Sequence, residues 1–538
     1  MKKIFFLAAL VISAMSYAQS SVNWYDVATV DNNGIKNGAN LIGAANYETV
    51  QLNSDGDIFV TAAISSVGRD PHALIFNQTL EAVPAKVNAA NTNPAPMFVK
   101  LNAAGEVQWT VAATDANYKS YASLPLSDGG MLVALVGHQA NPNALGLLKY
   151  RSADAAGKYY ALGKVQYGLL VKIAADGTPT VLDTITQAVE GKTDGIQFRK
   201  IVTDGTNYYV LANIKSAVNI GSTTITPAHT GGCLGILKFN AAGKYQGAIQ
   251  TGGQFAITTT TAELLCENNK LYLVCGVKGT AGAPLTLGEL NTTYPDSNTD
   301  IAVFIVNTNL TGDAVKFIPG VVAGGKNTIT TYGVQIVNNK LFVSGKYQGG
   351  LVAAGVADNT TGKDRAFVAT LDLANDAATA ICLPAANDGQ ISTTMADDLL
   401  VHGDSLYAVY YDNGGADGNI IFLQAMDQNL ALGSCLPLAK GTALKLTPRG
   451  AAIHGNNLIY TAYEMKDFTC TLVADPTINF TPALNSSIIV SQQVFNSATG
   501  INEVRADGKG ARKVVNEGKV YVISGTGVYD VNGMKIED

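Results

Sequence analysis

Phe98-Val-Lys-Leu-Asn-Ala-Ala-Gly-Glu-Val-Gln-Trp109 reads as strand, tight turn, strand. Apolar residues alternate on both sides of Asn102-Ala-Ala-Gly105, and asparagine and glycine tolerate the backbone conformations that close a hairpin. Relatives of this hairpin recur at Val171-Lys-Ile173, Leu237-Lys-Phe239, Phe304-Ile-Val306, Val368-Ala-Thr-Leu371, Phe422-Leu-Gln-Ala425 and Ile488-Ile-Val490. Their turns begin as Asn-Ala-Ala-Gly or Ala-Ala-Asp-Gly and drift to Asp372-Leu-Ala and Asp427-Gln-Asn.

A different hairpin precedes each copy. Its turns centre on Asp55-Gly56, Asp128-Gly129, Asp204-Gly205, Asn268-Asn269, Asn338-Asn339, Gly403-Asp404 and Asn456-Asn457, each followed by a β-rich run such as Ile58-Phe-Val or Leu271-Tyr-Leu. Seven pairs of hairpins, about fifty to seventy-five residues apart, predict seven four-stranded units of a β-propeller, whose radial repetition leaves few open strand edges. The last unit has a third strand, Ile488 to Phe495, and no fourth before Gly500. Near the N-terminus, Val22-Asn-Trp24-Tyr-Asp-Val-Ala-Thr29 matches Val107-Gln-Trp109-Thr-Val-Ala-Ala-Thr114. An N-terminal strand is therefore expected to complete the last blade and to place the two tryptophans equivalently. The fold class is all-β: a seven-bladed propeller over residues 19–499, followed by a small β tail, 500–538.

Composition agrees. The chain of 538 residues has 55 glycines and only 14% charged residues, which suits a turn-rich β protein better than a helical one. Met1-Lys-Lys, the apolar run Ile4 to Ile12 and Ser16-Tyr-Ala18 have the three parts of a secretory signal peptide, residues 1–18. No later run reaches the ~18 apolar residues of a transmembrane helix, so the mature chain is expected outside the cytoplasm, at the cell surface or beyond. Removing Lys2 and Lys3 takes the formal charge from −6 to −8, with no basic block, which argues against a nucleic-acid partner. Six cysteines make no disulfide framework in so long a chain. A turn at Asn268-Asn269 sets Cys266 opposite Leu271 and not Cys275, so small buried thiols are expected. No CxxC string or His/Cys cluster suggests a metal, and no motif suggests a cofactor.

The pairing of a DGxxYVxG-like first hairpin with an FVxKLNxxGxxxW-like second one resembles the bacterial β-propeller repeat of exported proteins. After Gly500 the character changes. Lys513-Val-Val-Asn-Glu-Gly-Lys-Val-Tyr-Val-Ile523 and Val528-Tyr-Asp-Val-Asn-Gly-Met-Lys-Ile536 resemble the C-terminal sorting domain of type IX secretion cargo, with Gly518, Tyr521, Tyr529, Asp530 and Gly533 as the matching positions. That resemblance implies delivery to the surface of a Bacteroidetes-like cell, with the secretion machinery as a partner.

Function is expected on loops held by the rigid blades, and the connections between second and third strands are the long ones. The most loaded carries Tyr150, Arg151, Tyr159 and Tyr160, with Arg69 and His72 on the neighbouring loop. Tyrosine and arginine are enriched in binding hot spots because each buries a large planar area and keeps a polar handle. A second constellation lies at the starts of the innermost strands: Glu48, Arg199, Glu263, Asp397, Asp398 and Arg449. Gathered round one channel, its acids could serve as the paired carboxylates of a polysaccharide-acting enzyme. No HExxH, GxSxG, P-loop or EF-hand string is present. The leading expectation is a non-enzymatic propeller that binds an extracellular glycan, protein or cell-surface component. A polysaccharide-acting enzyme and a structural envelope protein are the alternatives.

Overall fold

The computed structural model describes residues 21–31, 41–44, 50–65, 72–76, 78–80, 95–113, 118–137, 146–151, 158–161, 168–188, 195–229, 232–253, 255–257, 262–321, 328–351, 364–384, 394–415, 418–441, 446–465, 469–481, 486–494, 512–516, 519–524, 527–529 and 535–537. Every regular element among them is a β-strand. They form seven four-stranded antiparallel blades, a β-propeller, and a separate small sheet.

The opening hairpin supplies the two outer strands of blade 1, Ala95–Leu101 and Val107–Ala113, beside Ile58–Ser65 and Val50–Leu52. Its turn closes because the Asn102 side-chain oxygen accepts the amides of Ala104 and Glu106 at 3.0 and 2.9 Å, while Gly105 takes a φ of +84°. Asn240 repeats the arrangement in blade 3, accepting from Ala242 and Lys244. The inner turns follow the sequence reading as well. Asn268 and Asn269 both hold positive φ between Glu267 and Lys270, and Cys266 faces Leu271 as expected. One turn differs by a residue: His454 pairs with Asn457, so the seventh inner turn is Gly455-Asn456, with the positive φ at the glycine.

Blade 7 contains Thr447–His454, Asn457–Met465 and Ser486–Val494, and its fourth strand is Ser21–Asp31. Ser21 pairs with Val494 and Ala28 with Ile488, so the N-terminal strand closes the ring as the Val-x-Trp match predicts. The two indoles do the same work. Trp24 Nε1 donates to the Ala103 carbonyl at 3.2 Å and Trp109 Nε1 to the Ala175 carbonyl at 3.0 Å, each time the second residue of the outer turn on the next blade.

The core lies between blades and not within them. Along Ile58–Ser65, Ile58, Val60 and Ala62 pack toward blade 7, whereas Phe59 packs toward blade 2 with Trp109, Met131 and Val133. Seven apolar clusters occupy the seven seams in this way. Strands covered on both faces are therefore apolar at nearly every position.

The long connections between second and third strands are mostly hairpins that reach back onto the preceding blade. Gly146–Arg151 and Lys158–Ala161, from blade 2, extend the outer strand of blade 1, with Arg151 opposite Trp109. Val218–Ile220 with Thr223–Ile225 caps blade 2, Pro284–Leu287 with Leu290–Thr293 caps blade 3, and Cys470–Leu472 with Asn479–Phe480 caps blade 6. His72–Ile75 with Gln78–Leu80 caps the closing strand Ser21–Asp31. On blade 4 the cap shrinks to Gly350–Leu351 against Gly320–Val321. Blade 5 has none among the described residues, because the corresponding connection of blade 6 turns tightly at Gly415 and Gly418. These straps cover strand edges that would otherwise be open to pairing with another chain. The tail forms its own antiparallel sheet, Arg512–Asn516, Lys519–Ser524, Gly527–Tyr529 and Lys535–Glu537.

Candidate functional site

One cavity of about 550 Å³ is lined by a segment of the innermost strand of every blade: Gln51, Pro125, Lys200, Glu263, Tyr332, Asp398 and Ala451 are examples in ring order. It is the central channel. Five of its polar side chains bond across blade seams. Lys200 Nζ of blade 3 meets Glu263 Oε2 of blade 4 at 3.2 Å, and Glu263 is only 5% exposed. Asp398 of blade 6 accepts the Ala451 amide of blade 7 on Oδ2 at 3.1 Å, and the Leu399 amide on Oδ1 at 2.8 Å. Gln335 of blade 5 donates to the Leu399 carbonyl at 3.0 Å. Gln51 of blade 1 donates to the Ser123 carbonyl of blade 2 and receives the Ser123 hydroxyl, both at 3.2 Å.

The predicted channel charges therefore divide. Glu263 and Asp398 line the cavity. Arg199, Asp397 and Arg449 share a different property: each is the unpaired residue of a β-bulge, where the register slips between Phe198 and Lys200, Ala396 and Asp398, and Pro448 and Gly450. Arg199 turns its guanidinium to Gln197 Oε1 at 2.9 Å. Neither Arg199 nor Arg449 belongs to the cavity lining among the described residues. The side chain of Asp397 and the whole of Glu48 lie outside the described residues. Lys200, Gln335, Ser123 and Cys266 are lining or seam groups that strand alternation did not reveal; for Lys200 and Gln335 a bulge in the same strand changes which side chain faces the channel. Burial, with the charges of Asp204 and Glu267 adding to it, pushes the Cys266 thiol up to about 11, far from a reactive thiolate.

The rim candidates sit on straps. Tyr150 pairs with Thr110 and Arg151 with Trp109, Tyr159 with Leu148 and Tyr160 with Leu147. Lys158 Nζ stands 5.0 Å above the Tyr160 ring, an exposed cation–π contact. His72 pairs with Asp31 in the strap on blade 7, one blade away; Arg69 lies outside the described residues, as do the side chains of His72, Tyr150, Arg151 and Tyr159. In the tail, Tyr521 pairs with Val514 and Tyr529 with Val522, while Gly518, Asp530 and Gly533 are outside the described residues. Among the described residues no three His, Cys, Asp or Glu side chains converge as metal ligands, and no helix is long and apolar enough to cross a membrane.

No protein-family model matches the chain, and no curated protein matches it in sequence. Similar solved structures include a PL25 ulvan lyase bound to a GlcA(1-4)Rha3S oligosaccharide: 8% identity, TM-score 0.39, covering 78% of this chain and 91% of that one. An α-L-arabinofuranosidase of Fusarium graminearum with an iminosugar inhibitor gives 11% identity and a TM-score of 0.33 over 70% and 92% of the two chains. A Synechocystis apocarotenoid oxygenase gives 12% and 0.34 over 88% and 91%. Similarity at this level says nothing of chemistry, and the strand pairing and seven seams define the fold by themselves.

Proposed function

We propose that the chain is an exported, surface-associated propeller that binds an extracellular glycan, protein or envelope component without catalysing a reaction on it. One observation carries the non-catalytic reading. Glu263 and Asp398 are committed to the seams, one to the Lys200 ammonium and the other to two backbone amides. A glycosidase pair needs one carboxyl group that holds a proton for the leaving group and another that faces the sugar or a water. Carboxylates that already accept an ammonium or two amides are taken up by the seams, which leaves neither as a free acid or base for such work. The strap surface carrying Arg151, Tyr159 and Tyr160 is the binding surface in this reading, with His72 on the adjoining blade.

The test is retention of the purified protein on host and bacterial glycans and on intact cells. Tyr159→Ala with Tyr160→Ala should lower retention at least several-fold, while Glu263→Gln with Asp398→Asn should leave it unchanged. Polysaccharide cleavage that vanishes in the Glu263→Gln, Asp398→Asn chain would replace this reading with the enzymatic one, for which a channel of about 550 Å³ offers room. Export through a type IX route rests on the tail motif. Deleting residues 500–538 should trap the protein inside the cell envelope, and normal surface delivery of the truncated chain would refute that part.

A further inference from the structure

The turn that leads from the strap Leu290–Thr293 into the third strand of blade 4 is Tyr294-Pro-Asp-Ser-Asn-Thr-Asp300. It sets oxygen-bearing side chains at alternate positions, Asp296, Asn298 and Asp300. Asp300 is fully buried. Its Oδ1 accepts the Gly320 amide at 2.8 Å, and its Oδ2 is buried with no hydrogen-bond partner. Gly320 can come so close only as glycine, since a Cβ there would stand 1.9 Å from the Thr299 carbonyl oxygen.

Among the described residues, the charge that acts on Asp300 is that of Asp296, another carboxylate. Asp364, at the start of the third strand of blade 5, shows what is missing: its oxygens meet Lys346 Nζ at 2.7 Å and Gln348 Nε2 at 2.8 Å. A buried carboxylate oxygen with neither donor nor cation is costly, so natural structures supply one or the other. Asp296 accepts the Asn298 amide at 2.7 Å and Asn298 Nδ2 at 2.8 Å. With its Nδ2 held in this way, the Asn298 side chain has its Oδ1 left to offer as a third oxygen.

We propose that this turn binds a calcium ion, with Asp296, Asn298 and Asp300 as its side-chain ligands. The donor set is all oxygen, with two negative charges on a short turn. Calcium suits it, taking six to eight oxygens in irregular geometry and completing its shell with carbonyls and water. Magnesium demands a nearly ideal octahedron, and softer metals prefer nitrogen or sulfur. A bound ion would tie the strap on blade 3 to the strand of blade 4 that it precedes.

The experiment uses the full mature chain, stripped with chelator at neutral pH. Calcium chloride should raise Tm, and terbium should give tyrosine-sensitised luminescence that calcium displaces, with Tyr294 as a sensitiser two residues from Asp296. Asp300→Asn should abolish both effects. Asp296→Asn, at a partly exposed position, should abolish the calcium shift while the chelated protein keeps the wild-type Tm. An unchanged wild-type Tm with calcium, or a full calcium shift in Asp296→Asn, would overturn the proposal.

Discussion

Gly105→Ala probes the closure of the ring at one atom. Gly105 sits at φ +84°, and a Cβ there would lie 2.7 Å from the Trp24 ring of the closing strand. Gly205, in an inner turn of blade 3, has nearly the same φ, +86°, with nothing within 4 Å of an added Cβ. The left-handed conformation alone costs a non-glycine residue roughly 1–2 kcal/mol, which is the expectation for Gly205→Ala. Gly105→Ala adds an overpacking cost of about 1–3 kcal/mol, because the indole must shift and loosen its bond to Ala103. The total is therefore about 2–5 kcal/mol. Trp24→Ala removes the clash, so in that background Gly105→Ala should cost no more than Gly205→Ala. Urea unfolding of the four proteins in the cycle, with Gly205→Ala as reference, reads the coupling directly. Equal costs for the two glycines, or strict additivity of Gly105→Ala with Trp24→Ala, would refute the placement of Trp24 on this turn and with it the register of the closing strand.

Two further outcomes follow from the seams. Lys200→Met removes the ammonium that Glu263 faces and should cost about 3 kcal/mol, whereas Lys200→Met combined with Glu263→Leu should recover most of that loss; a double variant as unstable as the single one would contradict the structural role of the pair. Burial, opposed by the Val27 amide, holds the Asp26 carboxyl in the closing strand at about 6 against an ordinary 3.8. Between those values the folded chain keeps a proton that the unfolded chain has released, so stability falls as pH rises through that window. Asp26→Asn should flatten this fall, measured as the difference in unfolding midpoint between about pH 4 and about pH 7, and an unaltered slope would assign it to another group.

The blades were legible because their signals are local and repeated. Asn102 and Asn240 bind their own turn amides, Asn268-Asn269 can adopt positive φ, and Trp24 and Trp109 each cap the next turn, so the same residues recur for the same reason. The straps were not legible as structure. Val218–Ile220, joined to Thr223–Ile225 in a hairpin, is a three-residue strand whose outer partner, Pro179–Gln187, lies in the preceding blade, and no short-range pattern encodes such a pairing. Channel geometry was half legible. Charges at the starts of inner strands did mark a common level of the ring, yet at Arg199, Asp397 and Arg449 they mark bulges, where an unpaired residue need not alternate with its neighbours.

The backward reach of the straps sets an order of assembly. Ser21–Asp31 lies between two partners, with Ala28 opposite Ile75 on one side and Ile488 on the other. The first contact is near in sequence and the second spans almost the whole chain, so the three-stranded piece made with His72–Ile75 and Gln78–Leu80 can form before the later blades are in place. Every blade but the fifth, among the described residues, then waits for its successor to finish its edge. A chain cut anywhere before Ser486 would keep a latch with no catch at one end and, at the other, a last blade lacking the strap of its successor. Shortening from the C-terminal side therefore yields no smaller propeller, only a ring that cannot shut.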